Sequence, residues 1–194
     1  MVNFDDKLNK VYNAISSLLN IPEVGTIQRK FLIEGDAKFD ASVIPDDVDS
    51  EQFTEVITYL KPTEENYRAW LKVRTSGNNN KHFTYINRRI AEVDAEKREL
   101  KRKVSPHIFE EYTKQRDATR NELQRDLVLL VWNNQAFNVE TTALPSGKYV
   151  NILRCTADSL DEEIKLPEFI KVQEEITNIE KYHTYTLSDP EYKL

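Results

Sequence analysis

Glycine and cysteine are scarce in this sequence, and their scarcity excludes several classes of site. The 194 residues include four glycines, at positions 25, 35, 77 and 147. A Walker-type phosphate loop and a dinucleotide-binding fingerprint need glycines only a few positions apart, so both are excluded. One cysteine (Cys155) and three scattered histidines cannot assemble a Cys/His zinc site. Any bound metal would therefore have to be a hard cation held by carboxylates.

Long hydrophobic runs and targeting signals are also missing. The longest apolar run, at 127–132, has six residues, whereas a helix that crosses a bilayer needs about 20. The N-terminus lacks the basic-then-apolar pattern of a signal peptide, and a single thiol gives no sign of an oxidising compartment. These features predict a soluble, intracellular, cytoplasmic protein with no membrane span.

An excess of acidic residues argues against a nucleic-acid partner. The chain has 27 basic and 33 acidic residues, a net charge of −6. We therefore expect no whole-surface attraction to nucleic acid, although a local basic site is compatible with this charge. The basic run at 97–103 (KRELKRK) is split by strand alternation between two faces, which favours a strand over a nucleic-acid stripe.

The chain is long enough for one domain with its own hydrophobic core. Apolar residues at spacings of three and four over 3–20 predict an amphipathic helix, and Pro22 ends it. We expect this helix (1–22) to pack on a domain that spans 23–194. The alternative is that it binds a partner protein.

From Gly25 onward the hydrophobic period changes to two, the period of strands. A helix is expected after Ser105-Pro106, and a second one from Pro167 with Phe169, Ile170, Val172 and Ile176. Turn residues at 75–80, 133–134 and 145–147 separate several strands. The predicted class is α+β, mainly antiparallel β, with flanking helices. The predicted strands are 26–33, 54–60, 67–74, 82–89, 97–104, 127–132, 136–142 and 149–156.

Charged residues occupy one face of several predicted strands. In 67–74 one parity reads Arg68, Trp70, Lys72 and Arg74, and the other is mainly apolar. If the strands close into a barrel, such faces would line a polar interior. Its basic side chains would hold an anion, and its carboxylates would hold a divalent cation that bridges the oxygens of that anion. The alternative is that they are ordinary solvated outer faces.

Several segments, in order along the chain, resemble the triphosphate tunnel metalloenzymes, also called the CYTH superfamily. The opening strand of that family reads Glu-x-Glu-x-Lys followed by an apolar pair. The resemblance is closest to the CYTH-like domain that follows an AAA-type ATPase domain in some eukaryotic proteins and is associated with guanine nucleotide and phosphoinositide binding. The matching segments are TIQRKFLI (26–33), TYL (58–60), LKVR (71–74), HFTY (82–85), ELKRKVS (99–105), WNNQAFNVE (132–140), LPEFI (166–170), EIT (175–177) and YHTYTLS (182–188).

The resemblance implies an eight-stranded antiparallel tunnel barrel that binds a triphosphate-bearing small molecule. Basic side chains would grip the phosphates, and acidic ones would hold Mg²⁺ or Mn²⁺. The phosphate-binding candidates are Lys30, Lys72, Arg74, Lys101, Arg125 and Arg154. The metal-binding candidates are Glu99, Glu140 and Glu175.

Three positions depart from the family pattern. Thr26 and Gln28 stand where the opening motif has its two glutamates, and Arg154 stands where a later strand carries a metal-binding acid. The cationic half of the site is kept, and the metal-holding half is degenerate. A divalent cation beside so many positive groups would be repelled unless the anionic ligand brought it.

Three functions follow from these features. The first is binding of a phosphate-rich anion, such as a nucleoside triphosphate, a polyphosphate or a phosphoinositide headgroup, without turnover. The second is a divalent-metal-dependent triphosphatase or related phosphohydrolase. The third is an interaction or scaffold protein on an inherited barrel. Whether the chain is an enzyme is left open at this point.

Overall fold

The structure is a computed structural model that describes residues 27–64, 67–77, 80–89 and 99–193. The predicted N-terminal helix, the domain boundary at residue 22 and the first residues of the strand expected over 97–104 lie outside these ranges. They stay predictions.

Within the described residues, nine strands form a sheet in the order β5-β4-β3-β2-β6-β7-β8-β1-β9. The pairs whose register is defined are all antiparallel, so the mainly antiparallel α+β class is confirmed. Because the order begins at β5 and ends at β9, the closed eight-stranded barrel is not confirmed. The strands are β1 (Ile27–Ile33), β2 (Ser50–Leu60), β3 (Tyr67–Ser76), β4 (Lys81–Arg89), β5 (Glu99–Lys103), β6 (Leu123–Trp132), β7 (Gln135–Ala143), β8 (Tyr149–Ala157) and β9 (Val172–Glu175).

Two α-helices lie in the described part of the chain, α1 (Pro106–Thr113) and α2 (Thr184–Leu187), with 3₁₀ turns at Ala41–Val43 and Glu180–Tyr182. The predicted start of α1 is confirmed. The Ser105 hydroxyl accepts a hydrogen bond from the Ile108 N–H, and Pro106 is the first helical residue. Among these residues no helix is long and apolar enough to cross a membrane.

The helix expected from Pro167 is wrong. The chain turns after Pro167, and Val172–Glu175 forms β9, which pairs with β1. The Ile176 N–H donates to the Lys30 carbonyl and extends this edge contact. Phe169 and Ile170 pack in a core cluster with Phe31 and Ile33. Apolar spacing could not separate these alternatives, because the partner that fixes the strand lies about 140 residues away.

The chain divides into two compact units. The first unit contains 27–52, Asp126–Ala143 and Gly147–Ile179. Its core joins β1, β7 and β8 through Phe31, Phe137, Val139 and Leu153, all nearly inaccessible to solvent. The tight β6–β7 turn is as predicted, since Asn133 and Asn134 take φ of 48° and 61°, which asparagine tolerates better than most residues.

The second unit contains Phe53–Arg125, Leu144–Ser146 and 180–193. The hairpin of β3 and β4, predicted from the turn residues at 75–80, has the expected antiparallel register. A small core of Leu60, Ala69 and Leu71 packs under Phe109 and Tyr112 of α1. The helix therefore covers one face of this part of the sheet.

Candidate functional site

One face of the second unit is strongly cationic. Arg74 is paired in register with Glu55 and His82, and Lys72 with Ile57 and Thr84. Directly paired residues share a face, and alternate residues along a strand return to it. The same registers place Lys101 and Lys103 of β5 on this face, opposite Ile86 and Thr84. We call this surface the basic face; its cations are Arg68, Lys72, Arg74, Arg88, Lys101 and Lys103.

The other face of these strands is the one that α1 covers. The rings of Phe83 and Phe109 lie 5.0 Å apart, as do those of Tyr85 and Tyr112. Leu71, which is fully buried, belongs to the same apolar layer. Because β3 and β4 bury their apolar parity under the helix, strand alternation leaves their charged parity on the basic face.

Three cations of the second unit converge on one carboxylate. The Lys72 Nζ and the Arg74 Nη2 each lie 3.1 Å from the Glu55 Oε1, and the Arg125 Nη1 lies 3.9 Å from the Glu55 Oε2. The side chain of Glu55 is only 2% exposed, that of Arg125 4% and that of Arg74 11%. Lys72, at 21%, is the most accessible of the four. We call these four residues the Glu55 cluster.

Neighbouring cations stabilise the ionised form of the Glu55 carboxylate. Burial by itself would raise the pKa of this carboxyl. The positive charges of Lys72, Arg74 and Arg125 outweigh burial and lower the pKa from its usual 4.5 to about 2. Glu55 is therefore ionised at neutral pH, and the Glu55 cluster carries three positive charges against one negative charge.

An aromatic group lies at one end of the basic face. The Tyr185 ring of α2 packs edge-on against Tyr59, 5.0 Å between centroids, and Tyr59 also contacts Trp70. The guanidinium groups of Arg68 and Arg120 lie 3.9 Å and 4.1 Å from the centre of the Tyr185 ring. The Thr184 hydroxyl accepts a hydrogen bond from Arg125, which links α2 to the Glu55 cluster.

Charge is divided unevenly between the two units. The segments of the second unit contain 18 basic and 14 acidic residues, a net charge of +4. The segments of the first unit from residue 27 onward contain 7 basic and 16 acidic residues, a net charge of −9. The negative charge of the whole chain therefore coexists with a locally cationic region.

The first unit places Lys30 and Arg154 side by side. Lys30 of β1 is paired in register with Arg154 of β8, and Arg154 with Asn138 of β7, so the three share one face. The Arg154 guanidinium lies 2.9 Å from the carboxylate of Glu140, and the Asn138 amide donates to that carboxylate at 3.2 Å. Glu140 is thus engaged by Arg154 and Asn138.

Glu175 lies on the opposite face of the first unit. It is paired in register with Phe31, a core residue, whereas Lys30 has the other parity. Arg29 donates to both carboxylate oxygens of Glu175, at 2.9 Å from Nε and 2.5 Å from Nη2. This hydrogen bonding lowers the pKa of the Glu175 carboxyl. Because Glu140 and Glu175 lie on different faces, one metal ion cannot contact both.

The carboxylates of the described residues do not fit a protein-held divalent cation. No group of three or more histidine, cysteine, aspartate or glutamate side chains is arranged to hold a metal ion in this part of the chain. Glu99 begins β5, in register with Arg88. Glu140 and Glu175 each neutralise an arginine.

The structure brings some sequence candidates together and separates others. Lys72, Arg74 and Arg125 meet at Glu55, and Lys101 lies two strands away on the same face. Lys30 and Arg154 are neighbours in the first unit. The sequence analysis missed Glu55 and Arg29. Both residues give the same sequence signal: a charged residue stands where the strand alternation would place a large buried one. In β2 the buried residues at alternate positions are Ile57 and Tyr59, and in β1 they are Phe31 and Ile33.

The fold has solved counterparts. No protein family matches the chain, and neither does any curated protein. Two solved structures of the protein NE1496, described in the second as an inorganic triphosphatase, are similar. The first has a TM-score of 0.53 at 17% identity and covers 84% of this chain and 97% of that one. The second has a TM-score of 0.51 at 18% identity and covers 84% and 93%. At these identities the likeness establishes a shared fold.

Proposed function

We propose that this protein binds a phosphate-rich anion on the basic face. The observation that carries this proposal is the Glu55 cluster, in which three cations meet at one buried carboxylate. Lysine and arginine N–H groups are the usual donors to phosphate oxygens. Arg68, Arg88, Lys101 and Lys103 extend the positive charge along the same face.

The ligand class is a nucleoside triphosphate, a polyphosphate or a phosphoinositide headgroup. The fold shared with an inorganic triphosphatase supports this class. Lys30 and Arg154, which are adjacent in the first unit, are proposed as further phosphate contacts.

Thermal stability in the presence of tripolyphosphate tests this proposal. A ligand that binds only the folded state raises the free energy of unfolding, by about 2.7 kcal/mol when its concentration is 100 times its Kd, and so raises the melting temperature. We expect tripolyphosphate to raise the melting temperature and the double variant Lys72→Ala/Arg74→Ala to abolish the rise. Binding should persist without Mg²⁺, because the cations belong to the protein.

A matched control removes two cations elsewhere. Lys38 and Lys114 are exposed lysines paired with Asp126 and Glu111. Their double alanine variant makes the same charge change and should keep the response to tripolyphosphate. If the wild type shows no rise with tripolyphosphate, nucleoside triphosphates or inositol phosphates, the proposed function is wrong.

The second candidate is a metal-dependent triphosphatase, which the fold of NE1496 favours. In this function the ligand phosphates would bring most of the ligands of Mg²⁺ or Mn²⁺. The test is phosphate release from tripolyphosphate and nucleoside triphosphates with either metal. Release that disappears in Glu140→Ala supports an enzyme. Release that survives both Glu140→Ala and Glu175→Ala contradicts this candidate, because the reaction would then need neither acidic residue.

The third candidate, an interaction protein that docks a partner through its N-terminal helix, predicts a different result. It is favoured if a protein with Lys30, Lys72 and Arg74 all changed to alanine keeps every measured binding activity.

A further inference from the structure

The Glu55 carboxylate already contacts the cations that a single phosphate group would meet at this point. Its Oε1 accepts from the Arg74 guanidinium, at 3.3 Å from Nε and 3.1 Å from Nη2, and lies 3.1 Å from the Lys72 ammonium. Its Oε2 faces Arg125. A phosphate group bound here would contact the same lysine and arginine side chains. A small anion at this point must therefore share these cations with a buried negative charge that repels it.

Two cations of the basic face lie on a strand that is not adjacent to β3. Lys103 and Lys101 are on β5, two strands from Lys72 on β3. Neighbouring strands are about 4.8 Å apart, so these cations are about 10 Å from β3. A single phosphate group cannot span that distance, whereas a chain of phosphates can contact Lys72 at one end and the lysines of β5 at the other.

We infer that Glu55 is the specificity-determining residue of this site: an internal counter-ion that disfavours single phosphate groups and leaves polyphosphates as the preferred ligands. This inference rests on the proposed function. A polyphosphate compensates its repulsion from Glu55 with contacts along β4 and β5, and a single phosphate has no such contacts to gain.

Replacing Glu55 with glutamine separates its charge from its shape. Glutamine keeps an acceptor oxygen for the donors but removes the negative charge. Every anion should then bind more tightly. Inorganic phosphate should gain most, because it has no contacts along β4 and β5 that offset the repulsion from Glu55. The preference for polyphosphate should therefore shrink.

Titration calorimetry on the full chain with inorganic phosphate, pyrophosphate and tripolyphosphate measures this preference. We expect the wild type to favour tripolyphosphate over phosphate by about 100-fold or more. Glu55→Gln should bind phosphate at least about tenfold more tightly and show a smaller ratio. The control Glu111→Gln makes the same charge change on α1, where Glu111 pairs with Lys114, and should behave as the wild type.

The outcomes separate this inference from the proposed function. If Glu55→Gln weakens binding of all three anions, or leaves the phosphate-to-tripolyphosphate ratio unchanged, Glu55 does not set specificity and the inference is overturned. If the wild type binds none of the anions, the proposed function itself fails.

A variant that does not fold in anion-free buffer still gives an answer. Circular dichroism then follows refolding of Glu55→Gln as phosphate or tripolyphosphate is added. Refolding with either anion supports the role of Glu55 as an internal counter-ion, because the anion replaces its charge. Failure to refold with both anions overturns it.

Discussion

The pH dependence of stability should show how strongly the Glu55 cluster holds its carboxylate. A carboxyl whose pKa falls from 4.5 in the unfolded chain to about 2 in the folded protein stabilises the fold by roughly 3 kcal/mol at neutral pH. Because the folded pKa is the lower one, this stabilisation is complete above pH 4.5. It is lost progressively as the pH falls from about 4.5 to about 2.

Glu55→Gln isolates this contribution, since glutamine resembles the protonated carboxyl. The wild type should be more stable than the variant by about 3 kcal/mol at pH 7, and the difference should shrink towards zero near pH 2. Urea titrations at several pH values, followed by tryptophan fluorescence, measure the difference. Other carboxyls with lowered pKa, such as Asp36 and Glu175, are present in both proteins, so their contributions cancel.

A stability difference that does not change with pH would refute this reasoning, because it would mean that Glu55 acts through packing and not through its charge. If Glu55→Gln is too unstable to titrate, Lys72→Met gives a second measurement. It removes one of the three cations and should move the loss of stability to higher pH, because the pKa of Glu55 rises when a positive neighbour is lost.

Substitutions at three further positions test other contacts, each by urea unfolding. Arg29→Met should cost about 2 kcal/mol, because it removes two hydrogen bonds from Glu175; a loss no larger than that of an exposed-lysine variant would contradict this. Ser105→Ala should cost about 1 kcal/mol through loss of the N-cap, and no change would mean that the hydroxyl does not cap α1. Asn134→Val should cost about 1–2 kcal/mol and Asn134→Gly almost nothing, because φ is 61°; equal effects would argue against this turn geometry.

The features that were predicted correctly depend on residues that are close together in the sequence. Ser105-Pro106 combines a capping side chain with a residue suited to the first helical position, and α1 begins there. Asn133-Asn134 favours positive φ, and β6 turns into β7 at these residues. The alternation in β3 separates its charged parity from its apolar parity, which made Lys72 and Arg74 visible as candidates. In each case the deciding residues are neighbours in the chain.

The features that sequence did not reveal depend on pairing between distant segments. The apolar spacing over 169–176 is compatible with a helix, and only the pairing with β1 makes Val172–Glu175 a strand. Glu55 looks like one polar residue in a half-exposed strand until the β2–β3 register places it beside Arg74. The separation of Glu140 from Glu175 likewise follows from register, because a shift of one residue changes the face on which a side chain lies.

The Glu55 cluster reconciles two requirements that oppose each other. Cations grouped to bind a polyanion repel one another when no ligand is present, and that repulsion weakens the fold. One buried carboxylate among three cations reduces the repulsion, so the protein need not rely on its ligand to hold these side chains. A second carboxylate there would leave less positive charge for an anion. If the proposed function is correct, the excess of cations over carboxylates in this cluster gives a chain with a net charge of −6 a locally positive place for an anion.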